Sequence, residues 1–410
     1  MTRYRAAWIV PVVSPPIRDG WVDVEDGRIT GVGQRLDEPT PRMPVVDLGA
    51  VAVLPAFVNA HTHLELSALR GLVAPTTSMP AWVRRLMAVR TGIAVDSQER
   101  ALDGAVTELL EWGTAAVGDV SNTLAAWPAL ARSGIEGVVF HELIGFGVVD
   151  GRAAVDAAEA RWSALPAVPT LRLALAPHAP YSVSPELLEA LAGWTRADAA
   201  RVTSMHVGES HAEVQFLLDG TGEWRRLLED LGAWRSEWRA PGVPPLDYVA
   251  QCGLLTARTL VVHGTQFDDV ALARLRAAEA TLVMCPRSNR WTGAGVPPVR
   301  AAWASGVRCA FGTDSLASGD DLGVPGEIAD ARRLASDVPA RWLLQAATRN
   351  GAAALGLSDL GAIEAGYRAR LITVALPAHA LDVEEWLVGG LDAAAIDWLP
   401  GEAGRPSGRT

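Results

Sequence analysis

From Val53 to Gly312 the chain repeats one pattern eight times: a short apolar run, then a longer stretch with helical spacing. The apolar runs are Val53–Ala60, Thr114–Asp119, Gly137–Glu142, Leu171–Pro177, Val202–Val207, Thr259–His263, Thr281–Cys285 and Arg308–Gly312. Helices are predicted over Gln98–Trp112, Pro185–Trp194, Asp268–Ala278, Pro297–Ser305 and Pro339–Leu355. Strands separated by helices pair in parallel, so eight units predict an α/β fold closed as a (β/α)8 TIM barrel, with its chemistry at the strand C-termini. A doubly wound open sheet is the alternative. It needs fewer strands and often a Gly-rich nucleotide turn, and no such turn occurs here.

The ends of the chain read differently. Tyr4–Val13, Gly20–Glu25 and Arg28–Val32 are strand-like, and Asp26-Gly27 between the last two is a strong hairpin signal. Gly361–Leu376 again reads as strand, and the Gly-, Pro- and Arg-rich terminus is expected to fray. Residues 1–52 and 356–410 are therefore expected to build a small β domain, a sandwich beside the 53–355 barrel. Residues 211–250, with Trp224, Trp234 and Trp238, lengthen one connection and are read as helix packing or a lid.

The predicted strand ends collect a particular set of side chains. His61 and His63 sit at alternate positions and share a face, while later strands end in His206, His263 and Asp314. A lone histidine is more often a satisfied core residue, but four with an aspartate on one rim point to a metal. Three imidazoles and a carboxylate suit a borderline divalent ion such as zinc, with iron or manganese tolerated, and leave room for an activated water. Glu209, three residues after His206, can reach the same cavity as a proton shuttle; otherwise it is a solvated loop acid.

Composition narrows the chemistry. The sequence contains no lysine, which excludes a Schiff-base lysine, a phosphate-loop lysine and a carbamylated lysine bridging two metals. With 36 basic and 47 acidic residues the net charge is −11, which repels a nucleic-acid backbone. Cys252, Cys285 and Cys309 form neither a disulfide framework nor a zinc-site spacing, so a reducing compartment is expected. Ala6–Val13 reads as a strand rather than a signal peptide, and no apolar run is long enough for a membrane span. The expected setting is cytoplasmic. The expected partner is a small molecule, with no nucleic acid or membrane; a homo-oligomer is compatible with the sequence.

Five motifs, in order, resemble the amidohydrolase superfamily, in particular its adenosine-type and chlorinated-triazine aminohydrolases. They are Leu54-Pro-Ala-Phe-Val-Asn-Ala-His-Thr-His, His206-Val-Gly-Glu209, Val262-His-Gly-Thr, Cys285-Pro-Arg-Ser-Asn289 and Phe311-Gly-Thr-Asp-Ser315. The resemblance implies a barrel hydrolase with one divalent metal on His61, His63, His206 and Asp314. It further implies that Asp314 accepts a proton from water, His263 orients that water or polarises the reacting centre, and Glu209 protonates a ring nitrogen. Glu142 in place of a bridging carbamate is set aside in favour of one metal.

Within that branch, methylthioadenosine and S-adenosylhomocysteine deaminases are expected to grip the ribose with a glutamate between Gly71 and Trp82, where this chain has no acid. His61-Thr-His-Leu-Glu-Leu-Ser67, Ala176-Pro-His-Ala-Pro-Tyr-Ser182 and Gly220-Thr-Gly222 look instead like aminodeoxyfutalosine deaminases of menaquinone synthesis. On that resemblance Glu65, Ser67, His178, Asn289 and Ser315 contact substrate, Arg287 offers a charge for its carboxylate, and Trp82 and Trp291 wall it. The structural alternatives are loop caps or braces for Glu65, Ser67, Asn289 and Ser315, a structural His178, a helix-cap or salt-bridge Arg287, and packing tryptophans. Other expectations compatible with the motifs are cleavage of another C–N or a C–Cl bond, as by a guanine or S-adenosylhomocysteine deaminase or a chlorohydrolase, or a non-catalytic barrel relative. Ala369-Arg-Leu371 stands where the family commonly has Ala-Asp-Leu.

Overall fold

The computed structural model describes residues 1–38, 43–377 and 381–400; the terminal segment expected to fray lies outside them. The N-terminal strands are β1 (Thr2–Ile9), β2 (Ile17–Glu25), β3 (Arg28–Gln34), β4 (Val45–Asp47) and β5 (Val51–Pro55). Eight more follow: β6 (Phe57–Thr62), β7 (Thr114–Ser121), β8 (Glu136–Leu143), β9 (Leu171–Pro177), β10 (Thr203–Val207), β11 (Thr259–His263), β12 (Thr281–Met284) and β13 (Arg308–Phe311). The last two are β14 (Leu371–Ala375) and β15 (Ile396–Trp398).

β6 to β9 form one four-stranded parallel sheet and β10 to β13 another, each in chain order. Both seams between the sheets carry hydrogen bonds. At one, the His63 amide donates to the Asp314 carbonyl over 2.9 Å and the Asp314 amide to the His61 carbonyl over 3.1 Å. At the other, the His206 amide donates to the His178 carbonyl at 2.9 Å, and Thr203 Oγ1 to the Leu175 carbonyl at 3.0 Å. β6 and β7 are buried along their whole length, as strands covered on both faces must be.

The remaining strands make a seven-stranded sheet in the order β15-β14-β5-β1-β2-β3, with β4 on β1. The β2–β3 turn places Asp26 at φ 49° and Gly27 at φ 71°, the paired positive angles that a two-residue hairpin with the right twist demands. The C-terminal return joins this sheet through β14, which pairs antiparallel with β5.

Three predicted elements differ. The single strand Val53–Ala60 is two strands, because Pro55 has no amide to donate and the chain changes sheets there. The Ala56 amide goes to the Arg370 carbonyl, and the Phe57 amide to the Gly113 carbonyl. The helix predicted over Pro339–Leu355 is split into Ala340–Ala346 and Arg349–Ala354, and the Ala347 carbonyl between them accepts from the Val58 amide. Of the strand predicted over Gly361–Leu376, only Leu371–Ala375 is extended. Among the described residues no helix is long and apolar enough to cross a membrane.

Candidate active site

The side chains at the C-terminal ends of the parallel strands meet at the floor of a cavity of about 400 Å³. His63 Nε2 lies 3.2 Å from His206 Nε2 and 3.5 Å from Asp314 Oδ1, while His61 Nε2 lies 3.6 Å from the same Oδ1. His206 Nδ1 is 2.8 Å from the His178 carbonyl, so that nitrogen carries the proton and Nε2 presents a lone pair. His61 is fully buried, and neither ring nitrogen has a hydrogen-bond partner. A lone-pair nitrogen on His206, the facing His63 Nε2, a carboxylate and an unsatisfied buried imidazole within such distances suit a cation between them. Burial and the neighbouring imidazoles hold His206 well below the usual histidine range, and burial with His61 lowers His63, which keeps both as neutral donors.

Asp314 follows β13 on a left-handed backbone, φ 58°, and His263 ends β11 at φ 74°. Non-glycine residues hold such angles only where the surroundings enforce them. For Asp314 the enforcement is visible: Thr62 Oγ1 donates to its carbonyl at 2.8 Å, and Ser288 and Ser318 donate to Oδ2. Burial opposes its ionisation, but His61, His63 and His263 outweigh that and hold it well below the usual carboxylate range.

His263 Nδ1 faces Asn289 Nδ2 at 2.9 Å, which assigns the ring proton to Nε2, 3.5 Å from Glu209 Oε1. That Oε1 is buried without a partner. Burial, with Asp314 and Glu213 nearby, pushes the Glu209 carboxyl well above the usual range. Its backbone is fixed by Ser210-His-Ala-Glu213, which caps the helix His211–Asp219. Ser210 Oγ accepts from the Glu213 amide, while the buried Glu213 carboxylate accepts from the amides of Gly208 and Glu209 at 3.0 and 2.9 Å.

His63, Glu65, His178, His206, Glu209, His263, Asp314 and Ser315, all named from the sequence, line the cavity, and Trp82 does too. Four other residues named from the sequence lie outside the cavity lining. Asn289 does not line the cavity; its Nδ2 donates to His263 Nδ1, while its Oδ1 is buried without a partner. Ser67 is buried in the turn Leu64–Leu69, away from the lining. Arg287 is turned away and held by Glu327 at 2.6 Å and Asp321 at 2.8 Å. Trp291 gives its indole N–H to the Val73 carbonyl outside the cavity.

The guanidinium that does reach the cavity belongs to Arg90, at the end of the helix Met79–Arg90, and it donates to Glu65 Oε1 at 3.2 Å. Nothing in the sequence pattern singled it out. Glu142 and Ser288 stood at a strand end and in a quoted motif, and those positions were the available signals. The 211–250 segment supplies a wall: Trp224 stacks on Tyr181 with ring centroids 3.8 Å apart, and Leu227, Leu228 and Leu231 line the cavity beside it.

Known proteins resemble the chain over nearly all of its length. The 5-methylthioadenosine/S-adenosylhomocysteine deaminase of Bacillus cereus is 28% identical over 382 residues, covering 87% of this chain and 81% of that protein. The structure of an adenosine deaminase from Xanthomonas campestris with bound zinc is 25% identical with a TM-score of 0.80, covering 99% of this chain and 92% of that one. Helicobacter pylori aminofutalosine deaminase in complex with methylthio-coformycin is likewise 25% identical, with a TM-score of 0.83 and 95% of each chain covered. The amidohydrolase family profile matches residues 52–397, and the chain belongs to that family, as a hydrolase acting on C–N bonds.

Proposed function

We propose that this protein is a zinc-dependent aminohydrolase that deaminates an adenine-type nucleoside, with aminodeoxyfutalosine, on the route to menaquinone, as its substrate. The observation that carries the reading is the floor of the cavity. His61, His63, His206 and Asp314 converge with uncommitted donor atoms beside a buried Glu209 whose Oε1 has no partner. In this reading β6–β13 close as a (β/α)8 barrel, residues 1–52 and 356–410 form the small β domain, and the protein works in the cytoplasm.

His61, His63, His206 and Asp314 would hold one divalent ion, which when bound makes water a usable nucleophile at neutral pH. Asp314 takes a proton from the attacking water. Glu209, kept protonated by burial, gives its proton to the ring nitrogen next to the amino-bearing carbon. His263 presents Nε2–H to the oxygen that adds. When the adduct collapses, its hydroxyl proton returns to Glu209, and the proton on Asp314 leaves with ammonia.

The outer cavity supports the substrate choice. Met79, Trp82, Val83, Leu86 and Met87 from the helix Met79–Arg90, and Leu227, Leu228 and Leu231, give the cavity an apolar lining that also includes Arg90. Such a lining fits an aromatic sugar substituent carrying a carboxylate, and Arg90 takes the role first given to Arg287.

The test is ammonia release by zinc-reconstituted protein from aminodeoxyfutalosine, adenosine, methylthioadenosine, guanine and a chlorotriazine. Aminodeoxyfutalosine should be preferred, chelation should abolish turnover, and Glu209→Gln should cost at least ~100-fold in kcat. Failure of the metal-loaded protein to turn over any purine would overturn the proposal.

A further inference from the structure

Four acidic side chains line the cavity, and three already have partners or a role in the reading above. Glu65 is saturated: Oε2 accepts from Ser121 Oγ at 2.8 Å and from the Thr123 amide and hydroxyl at 3.0 and 2.7 Å, while Oε1 holds Arg90. Asp314 is divided between two serines and the imidazoles, and Glu209, whose Oε1 is also without a hydrogen-bond partner, faces His263 Nε2 at 3.5 Å and has the proton-transfer role. The fourth is Glu142, at the end of β8. Asn122 Nδ2 clamps it from one side, donating to Oε2 at 2.9 Å and to the backbone carbonyl at 3.1 Å. Its Oε1 is buried and has no partner.

The group nearest that oxygen does not satisfy it. His206 Nδ1 is 3.6 Å away, and its proton is already given to the His178 carbonyl. The ring of His178 stands close by, with Nδ1 engaged by Ser182 Oγ at 2.6 Å and Nε2 left over. These three residues do not make a second cation site. With Nδ1 protonated and Nε2 turned to His63, His206 has no lone pair left for another ion. A buried carboxylate oxygen without a donor is costly, and Glu142 belongs to the lining of the ligand cavity, where a bound molecule can bring the missing donor.

The chemistry of the ligand says which donor. In an adenine substituted at N9, the exocyclic amine is the only ring donor, and it is the group that reacts. The other donors of such a substrate are the sugar hydroxyls. Resting on the deaminase reading above, we infer that Glu142, clamped by Asn122, accepts a hydrogen bond from a sugar hydroxyl, so that the site selects ribonucleosides over bare heterocycles and dideoxynucleosides. A strand-end glutamate thus supplies a sugar contact that the acid-free segment from Gly71 to Trp82 cannot.

The experiment compares kcat/KM for adenosine and 2′,3′-dideoxyadenosine in zinc-loaded wild type, Glu142→Ala and Glu142→Gln. Wild type should prefer adenosine at least ~10-fold, Glu142→Ala should bring that ratio close to one through KM, and Glu142→Gln should restore part of it. Equal losses on both nucleosides, with or without loss of bound zinc, would mean that Glu142 braces His206, and would overturn the inference, as would an unchanged ratio. Should Glu142→Ala not fold, Asn122→Ala should lower the ratio severalfold, and no change there overturns it. If wild type deaminates neither nucleoside, calorimetric binding of the same pair reads the ratio directly. A preference for adenosine lost in the variant then keeps the sugar contact and no preference overturns it, while the deaminase reading is decided separately by ammonia release from the wider panel above.

Discussion

Gly312→Ala should damage the proposed metal floor without replacing any ionisable group. Gly312 links β13 to Asp314 and lies against the strand that presents His61. A methyl group at this position would sit 2.6 Å from His61 Cβ and 2.6 Å from its carbonyl oxygen, whereas ordinary contact begins at 3.4 Å. Both obstacles are fixed parts of β6, so a strand must retreat by most of an ångström. The seam hydrogen bonds from His63 and Asp314 lie directly in the path. Overpacking of this kind costs about 1–3 kcal/mol. Because His61 and Asp314 move apart, zinc affinity should fall along with stability. Urea unfolding of the apo and zinc-loaded forms separates the two effects: the apo form should lose about 1–3 kcal/mol, and the extra stability that zinc gives should shrink. Wild-type apo stability together with an undiminished zinc increment would refute the reasoning that this glycine sets the approach of the two strands.

Ser288→Ala removes a donor from Asp314 Oδ2 and leaves Ser318 as the remaining hydroxyl there. A hydrogen bond to a buried charge is worth about 1.5–3 kcal/mol, so kcat/KM should drop roughly 10- to 100-fold with the fold intact; steady-state kinetics at wild-type levels would contradict this. His141 is buried beside the Trp162 indole and Arg161, and burial followed by the Arg161 charge lowers it to about 4. Its proton is therefore taken up by the unfolded chain first, and stability should fall as pH drops from about 6.5 to about 4, by up to roughly 3 kcal/mol. His141→Gln, which keeps an acceptor for Trp162, should flatten that part of the curve; parallel denaturation midpoints between pH 7 and pH 5 would contradict it.

The strand pattern was legible because strands covered on both faces are mainly apolar, and the predicted bounds Leu171–Pro177, which include the half-buried Arg172, and Thr259–His263 match the structure to the residue. The hairpin at Asp26-Gly27 was legible for a local reason too, since few residue pairs accept two positive φ angles. The break at Ala56 was not. Whether Val53–Ala60 is one strand or two depends on distant partners, the Arg370 and Gly113 carbonyls. The break in the helix near Thr348 has the same origin, because β6 takes the Ala347 carbonyl.

At the floor of the cavity, the sequence by itself determined which side chains stand at the strand ends. Strand termini follow the hydrophobic pattern, and the side chain at each end is written beside it. It did not determine what those side chains are free to do. Only the tertiary structure decided that the Asn289 Nδ2 donor is taken by His263, that Arg287 is spent on Glu327 and Asp321, and that Glu65 is saturated by Ser121, Thr123 and Arg90. It also decided that Glu142 keeps an open oxygen. Availability of a polar atom is a property of all its neighbours at once, and those neighbours arrive from segments the linear sequence keeps far apart.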